Sequence, residues 1–529
     1  MKRFIATLAS FGLLMVSCSD DDNTPIDSGG SDPDPVEYSN GSADFSNYVA
    51  VGNSLTAGFS DGALFAAGQM ASFPNMLATS FAEAGGGAFN IPFMADDLGG
   101  ATLGGEPALE NRFILSFASG SPAPARLQGM GTTEIANVLT NGPFNNMGVP
   151  GATSFHLLAP GYGNVQGVAL GAANPYYARI ASSPDATVLG DAAAQGATFF
   201  SLWIGNNDIL GYATSGGAGI DQLNNLDPST YGGNDISDPN VVSGSIDAIL
   251  ETMTANGAGG VVANLPDVIT IPYFTTVPFA PLDPTNPDFG NLIPGLNMTF
   301  GGINQVFDAL GVPERKIEFS TSAASALVIR DEDLTDLSQQ LTAGLIQGGL
   351  DAPTAGVLGF LYGQARQANQ DDLVVLPAQN EIAQPNEAAL ATLLNLGVPE
   401  AQAAQLSVNG ITYPMEDQWI LTPEEQQAVV TATTAYNTAI RALATEYDLA
   451  FVDANSYLRT VATEGIPLSD GSIVTAIFAT GGGFSLDGVH PSPRGYALLA
   501  NLFIDAIEEK YDALLPRVDP LEFTGLYIN

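Results

Sequence analysis

Asp487-Gly488-Val489-His490-Pro491 holds one of the two histidines in the 529-residue chain, three positions after a carboxylate. Histidine takes and returns a proton near neutrality, and a neighbouring carboxylate fixes the tautomer that leaves the other ring nitrogen free as a base. Such a base serves acyl transfer when a hydroxyl lies within hydrogen-bond reach and N–H donors face the developing oxyanion. Three other strings offer those groups. Gly52-Asn53-Ser54-Leu55 carries a serine, and Gly205-Asn206-Asn207-Asp208 carries a side-chain amide. In Asn146-Met147-Gly148-Val149-Pro150-Gly151 the glycines let a backbone N–H approach a ligand.

The elements around these strings are of one kind. Tyr48 to Val51, Thr198 to Ile204 and Gly260 to Leu265 are short apolar runs that break into Gly, Asn or Pro-Asp, and Leu449 to Asp453 is a further strand. Thr56 to Gly58 reads as the opening of a helix. Thr422-Pro423-Glu424-Glu425 is a capping box with proline at the first helical position. Ser492-Pro493 caps a last helix whose stripe Tyr496, Leu499, Phe503, Ile507 faces a core. Strands alternating with helices predict an α/β fold with a mainly parallel sheet, its functional residues at the carboxyl ends of the strands. Residues 60–140, rich in Gly, Ala and Pro, and 275–415, with helical stretches such as Asp333 to Gln347, read as insertions around one sheet.

In this order the four strings resemble the motif blocks of the SGNH (GDSL-type) hydrolases, a family of esterases and lipases. Gly-Asp-Ser-Leu matches Gly52-Asn53-Ser54-Leu55, with Asn53 in place of the Asp. Asn-x-Gly-x-x-Gly matches Asn146, Gly148 and Gly151; Gly-x-Asn-Asp matches Gly205, Asn207 and Asp208; Asp-x-x-His-Pro matches Asp487, His490 and Pro491. The resemblance implies a flavodoxin-like three-layer α/β/α sandwich, and Ser54 as nucleophile, His490 as base and Asp487 as its orienter. It also implies an oxyanion hole from the N–H groups of Ser54 and Gly151 and the Asn207 side chain, with Asp208 bracing the loop and no cofactor or metal. In this family a main-chain carbonyl can help hold the histidine, which leaves Asp487 the more replaceable half of the pair.

Each residue also has a plainer reading. Ser54 alone suits a turn or a helix cap, and Asn207 a turn. Gly58-Phe59-Ser60-Asp61-Gly62 satisfies the Gly-x-Ser-x-Gly elbow of another hydrolase fold, but it lacks the strand that motif needs, so Ser60 is a decoy. His156, five residues past Gly151 among apolar neighbours, reads as structural and is the other histidine able to act as base. The acidic loop from Asp283 to Asp288 suits solvent better than calcium.

The amino terminus bears on location. Lys2 and Arg3 precede an apolar run from Phe4 to Val16 that ends at Ser17-Cys18, which reads residues 1–17 as a signal peptide. Leu14-Met15-Val16-Ser17-Cys18 resembles a lipobox, making Cys18, the only cysteine, the site of lipidation. Residues 18–42 form an acidic tether of Asp, Ser, Gly and Pro, similar to the surface-export signal of some Bacteroidetes lipoproteins. The expectation is an outer-membrane lipoprotein, facing the periplasm or the cell surface, that touches the membrane only through its lipid. A formal charge of -42 argues against nucleic acid as a partner, while 45% hydrophobic residues permit a large core over residues 43–529. The substrate is then an ester: an acylated glycan, a lipid or a small ester. Two rivals remain, a non-enzymatic glycan-binding surface lipoprotein and an SGNH scaffold without activity. With two tryptophans, one of them Trp203 in a predicted core strand, the chain has few of the exposed aromatics on which sugars stack.

Overall fold

Five runs that bury both faces form one parallel sheet: β1 (Tyr48–Gly52), β2 (Asn146–Gly148), β3 (Phe199–Trp203), β4 (Gly259–Ala263) and β5 (Ala450–Val452). The computed structural model describes residues 36–117, 122–136 and 142–528. Strand order is 2-1-3-4-5, and every pairing is parallel. The chain therefore leaves β1 to one side for β2 and returns past it for β3, a topological switch point with a crevice beyond the carboxyl ends of β1 and β3.

Right-handed crossovers running in opposite directions from β1 place helices on opposite faces. Besides a one-turn helix α1 (Ser54–Ala57), one face carries α2 (Phe73–Glu83). The other carries α3 (Asn207–Thr214), α4 (Pro239–Thr254) and α5 (Pro423–Glu446), and α6 (Pro493–Tyr511) closes the chain against α2. The α2 and α6 face is aromatic. Phe73 stacks on Phe503 at 4.5 Å and meets the edge of Trp203, and Phe81 meets Tyr48 and Phe199. Trp203 is fully buried, its indole N–H donating to Asn264 O at 3.0 Å. The Thr422–Glu425 capping box forms as its residue types require, and Ser492 Oγ accepts the Gly495 N–H at the start of α6.

The structure departs from the sequence reading in four places. Folded chain begins before Ala43: Ser39 pairs with Leu514, and Tyr38 onward forms one compact unit. The first helix starts at Ser54 and Gly58 ends it, because Asn53 Oδ1 caps the Leu55 N–H. Phe73–Glu83 lies inside the supposed 60–140 insertion yet is a core helix, its stripe Phe73, Leu77, Phe81 buried at helical spacing amid Ala, Ser and Asn. Helix in the 275–415 insertion begins at Ser338, not Asp333, since Asp336 Oδ1 accepts the Ser338 N–H. That insertion also holds the helices Ile293–Leu310 and Ala352–Tyr362, whose apolar residues continue the main core. Residues 1–17, Cys18 and the tether up to residue 35 lie outside the described residues. Among the described residues, no helix is long and apolar enough to cross a membrane.

Candidate active site

Ser54 is the first residue of α1, placed where β1 ends at the switch point. Asn53 is fully buried, its Oδ1 capping α1 while Nδ2 donates to Asn206 Oδ1 at 3.0 Å. That second bond needs a donor, which an amide has and a carboxylate lacks. On the other side, Asn146 Nδ2 donates to Thr56 O at 2.9 Å and its Oδ1 accepts the Gly148 N–H. A Cβ on Gly148 would sit 2.3 Å from Ala57 N, so only glycine lets β2 run this close to α1.

His490 reaches Ser54 across 436 positions of chain: Nε2 to Oγ is 2.9 Å. Its Nδ1 lies 2.9 Å from Asp487 Oδ2, and the Val489 and His490 backbone N–H groups donate to Asp487 Oδ1 at 2.8 Å each. Burial alone would raise the Asp487 carboxyl, but the charge and hydrogen bonds of His490, with the Val489 N–H, hold it down to about 2. An ionised carboxylate only accepts, so Nδ1 carries the proton and Nε2 presents its lone pair to the Ser54 hydroxyl. Both side chains are mostly covered, and the Phe59 ring sits 4.7 Å from the imidazole.

The residues expected on the oxyanion side, Asn207 and Asp208, are neighbours on α3. Asn207 Nδ2 donates one N–H to Ala152 O at 2.8 Å, leaving its second for a ligand. Asp208, fully buried, accepts both the Ser154 N–H at 2.7 Å and the Ser154 hydroxyl at 2.9 Å. Burial pushes its carboxyl up to about 6, against the pull of these bonds. Together the two side chains pin the loop from Gly151 to Ser154. Gly151 is exposed with φ +81°, and among the described residues its N–H has no partner.

A narrow pocket of about 40 Å³ opens beside Ser54 and His490, walled by Leu55, Trp203, Val268, Ile271, Leu458 and Phe484. Past Gly151 and Asn207 an open groove of about 1200 Å³ continues along Phe155, Leu226, Tyr231 and Asn240. The groove, and not Ser54, is what His156 faces. Its Nδ1 accepts the Thr153 N–H at 3.3 Å and lies 2.8 Å from Thr153 Oγ1. The ring stacks on Tyr162 at 4.5 Å, and burial lowers it to about 4, so it stays neutral.

Ser60 Oγ is engaged with Pro491 O at 3.2 Å, away from the role of nucleophile. Sequence reading passed over Asn206 and Asp61, which hold the site from behind. Asp61-Gly62 is readable as a turn-forming pair, but nothing in either string marks the supporting role, since the partners come from other elements. Among the described residues, one group of three carboxylates, Glu332, Asp417 and Glu425, brings ligand atoms within 4.8 Å of one another. Burial and mutual proximity push Asp417 and Glu425 upward. The group lies outside the pocket walls around Ser54. Asp283 Oδ1 accepts the Thr285 N–H at 2.8 Å.

Comparison with known protein families, with curated proteins and with solved structures returns no match for this chain.

Proposed function

We propose that the chain is a serine hydrolase of carboxylic esters working through an acyl-enzyme, on a flavodoxin-like sandwich of the SGNH type. One observation carries the reading: Ser54 Oγ, His490 and Asp487 form a continuous relay of 2.9 Å steps at the switch point of the sheet. His490 Nε2 takes the Ser54 proton as Oγ attacks the ester carbonyl, and Asp487 stabilises the imidazolium so formed. The Ser54 and Gly151 N–H groups and the free Asn207 N–H face the oxyanion. His490 then passes the proton to the departing alcohol, and a water repeats the sequence to release the acid.

The two cavities suggest how an ester divides. The narrow one, about 40 Å³ where a single water needs roughly 10–15 Å³, has room for a short acyl group such as acetyl or propionyl. The groove has room for a bulky alcohol and offers it both aromatic faces and hydrogen-bonding groups. Lipidation at Cys18 and anchorage at the outer membrane complete the proposal.

Labelling by a fluorophosphonate serine-hydrolase probe tests it. Wild type and Ser60→Ala are expected to label, and Ser54→Ala is not. Labelling that survives in Ser54→Ala removes the nucleophile and with it the reading. The glycan-binding rival gains nothing from the placement of Trp203, which is buried.

A further inference from the structure

The decoy string around Ser60 sits against the catalytic loop. Ser60 and Ala63 exchange backbone hydrogen bonds at 3.1 Å, and the two residues between them, Asp61 and Gly62, have φ of +52° and +73°. Positive φ at both central positions is the conformation that an Asp-Gly pair favours, so the sequence makes this turn for local reasons. Four bonds run from it to residues 485–491. The Asp61 N–H donates to Ser485 Oγ at 2.9 Å, and the Leu486 N–H donates to Asp61 Oδ1 at 2.9 Å. The Gly62 N–H donates to Asp487 Oδ2 at 2.8 Å, and Ser60 Oγ donates to Pro491 O at 3.2 Å.

Asp487 Oδ2 is the oxygen that receives the His490 ring, so the Gly62 N–H fixes the acceptor of the relay directly. Ser485 Oγ, already bound by Asp61, donates in turn to Asp487 Oδ1 at 3.1 Å. Both carboxylate oxygens thus take their orientation from one turn more than 420 positions away.

The turn is gripped from its other side. The Phe113 N–H donates to Asp61 O at 2.7 Å, and Arg112 Nη1 stands 3.5 Å from Asp61 Oδ2. Arg112 is itself held between the rings of Phe65 and Tyr527, at 4.6 and 4.5 Å. Asp61 is 2% exposed, and its Oδ2 makes no hydrogen bond among the described residues. A buried carboxylate whose second oxygen makes no hydrogen bond and meets Arg112 only at 3.5 Å, beside a second carboxylate, is a poor choice for stability alone.

We propose that Asp61 is a positioning residue: the Asp61–Gly62 turn, fixed by Arg112 and Phe113, sets the Asp487 carboxylate and through it the His490 ring. The inference rests on the esterase reading above. It makes residues 97–117 and 122–126, none of which lines the pocket around Ser54, a support of the catalytic loop.

The test compares Asp61→Ala, Asp61→Asn and Ser485→Ala with wild type on nitrophenyl acetate. It also follows the downfield proton resonance of the His490 Nδ1–H in the free enzyme. Displacing a catalytic group by a fraction of an ångström to 1 Å costs about 10- to 100-fold, so Asp61→Ala is expected to lose that much in kcat with KM within about twofold. Its downfield resonance is expected to broaden or move upfield. Asp61→Asn keeps an oxygen for the Leu486 N–H and is expected to recover most of both. If Asp61→Ala does not fold, Ser485→Ala carries the test, with an expected loss of about 3- to 10-fold in kcat. A folded Asp61→Ala, or failing that a Ser485→Ala, with wild-type kcat and an unmoved resonance overturns the proposal. Ser54→Ala run in parallel separates the two readings: turnover that persists there sinks the esterase reading. Turnover lost there, with the Asp61 and Ser485 variants unaffected, sinks only the positioning role.

Discussion

Replacing Asp487 by Asn is the sharpest probe of the relay, because it keeps the shape and inverts one hydrogen-bond direction. Asp487 Oδ1 accepts from three donors, the Val489 N–H, the His490 N–H and the Ser485 hydroxyl, while Oδ2 accepts from two, the Gly62 N–H and the His490 ring. An amide must set its NH2 against one of these groups. The smaller conflict is at the Oδ2 position, where the amide would donate to His490 Nδ1. The imidazole then carries its proton on Nε2, facing Ser54 with an N–H where the reaction needs a lone pair. A wrong tautomer of this kind costs about 10⁴ in kcat, or about 5 kcal/mol at 1.36 kcal/mol per decade. The opposed Gly62 N–H adds about 1–3 kcal/mol of lost stability. The assay is nitrophenyl acetate turnover and the rate of fluorophosphonate labelling, with a thermal melt to establish that the variant is folded. A folded Asp487→Asn within tenfold of wild type in kcat would refute the tautomer argument. It would also return Asp487 to the replaceable role that the family resemblance suggests.

Other expectations follow from the same geometry. Asn207→Ala removes an oxyanion donor and is expected to lower kcat by about 10²- to 10³-fold, with only the small loss of melting temperature that its lost hydrogen bond to Ala152 O brings. Asp208→Asn, which leaves one Ser154 donor unmet, is expected to lower the melting temperature more than it lowers kcat, and the reverse ranking would count against the assignment of the two roles. In a chain-length series of nitrophenyl esters, acetate and propionate are expected to outpace octanoate in kcat/KM, whereas a preference for octanoate would exclude the narrow pocket as the acyl site. Burial holds the Asp61 and Asp208 carboxyls up to about 7 and about 6, above the ~4 of an unfolded aspartate. The folded state therefore binds protons that the unfolded chain has lost, so this stabilisation is complete below about pH 4 and is lost as pH rises through 6 and 7. His156, lowered to about 4, opposes the trend only below its unfolded value of ~6.5. The melting temperature is expected to fall by on the order of 5 °C between pH 5 and pH 8, and a rise over that range would contradict the burial of these carboxyls.

How much of this was legible in the sequence depended on whether the physics was local. The strands ending at Gly52, Trp203 and Ala263 were readable because a strand covered on both faces must be apolar throughout. The capping box at Thr422 and the N-cap at Ser492 were readable because a helix start is satisfied by residues within one turn of it. Helix Phe73–Glu83 was hidden for the opposite reason. Its main signal is Phe73, Leu77 and Phe81, spaced across Asn75, Thr79 and Ser80 in a short stretch set within glycine-rich surroundings. The long insertion between β4 and α5 carries apolar stripes that say helix but not against what, since its partners are other parts of the insertion and the core together.

The site divides along the same line. Residues proposed to touch a reacting group are Ser, His, Asp, Asn or Gly, types whose chemistry makes them stand out in their strings. Residues that hold those groups carry no such mark, because any donor or acceptor at the right point in space will serve. Asn53 illustrates the difference: read alone it is a tolerated departure from Asp, but its Nδ2 bond to Asn206 makes the amide the type that this neighbour requires. With Asp at 53, two acceptor oxygens would face each other unless Asn206 turned its own amide over. The string around Ser60 illustrates it more strongly. It matched a nucleophile motif by spacing, yet what its Asp-Gly pair supplies is a turn, and the turn's value lies in the amide it offers to Asp487 from the far end of the chain. Spacing within a string identifies what can react, and only the fold identifies what keeps it in place.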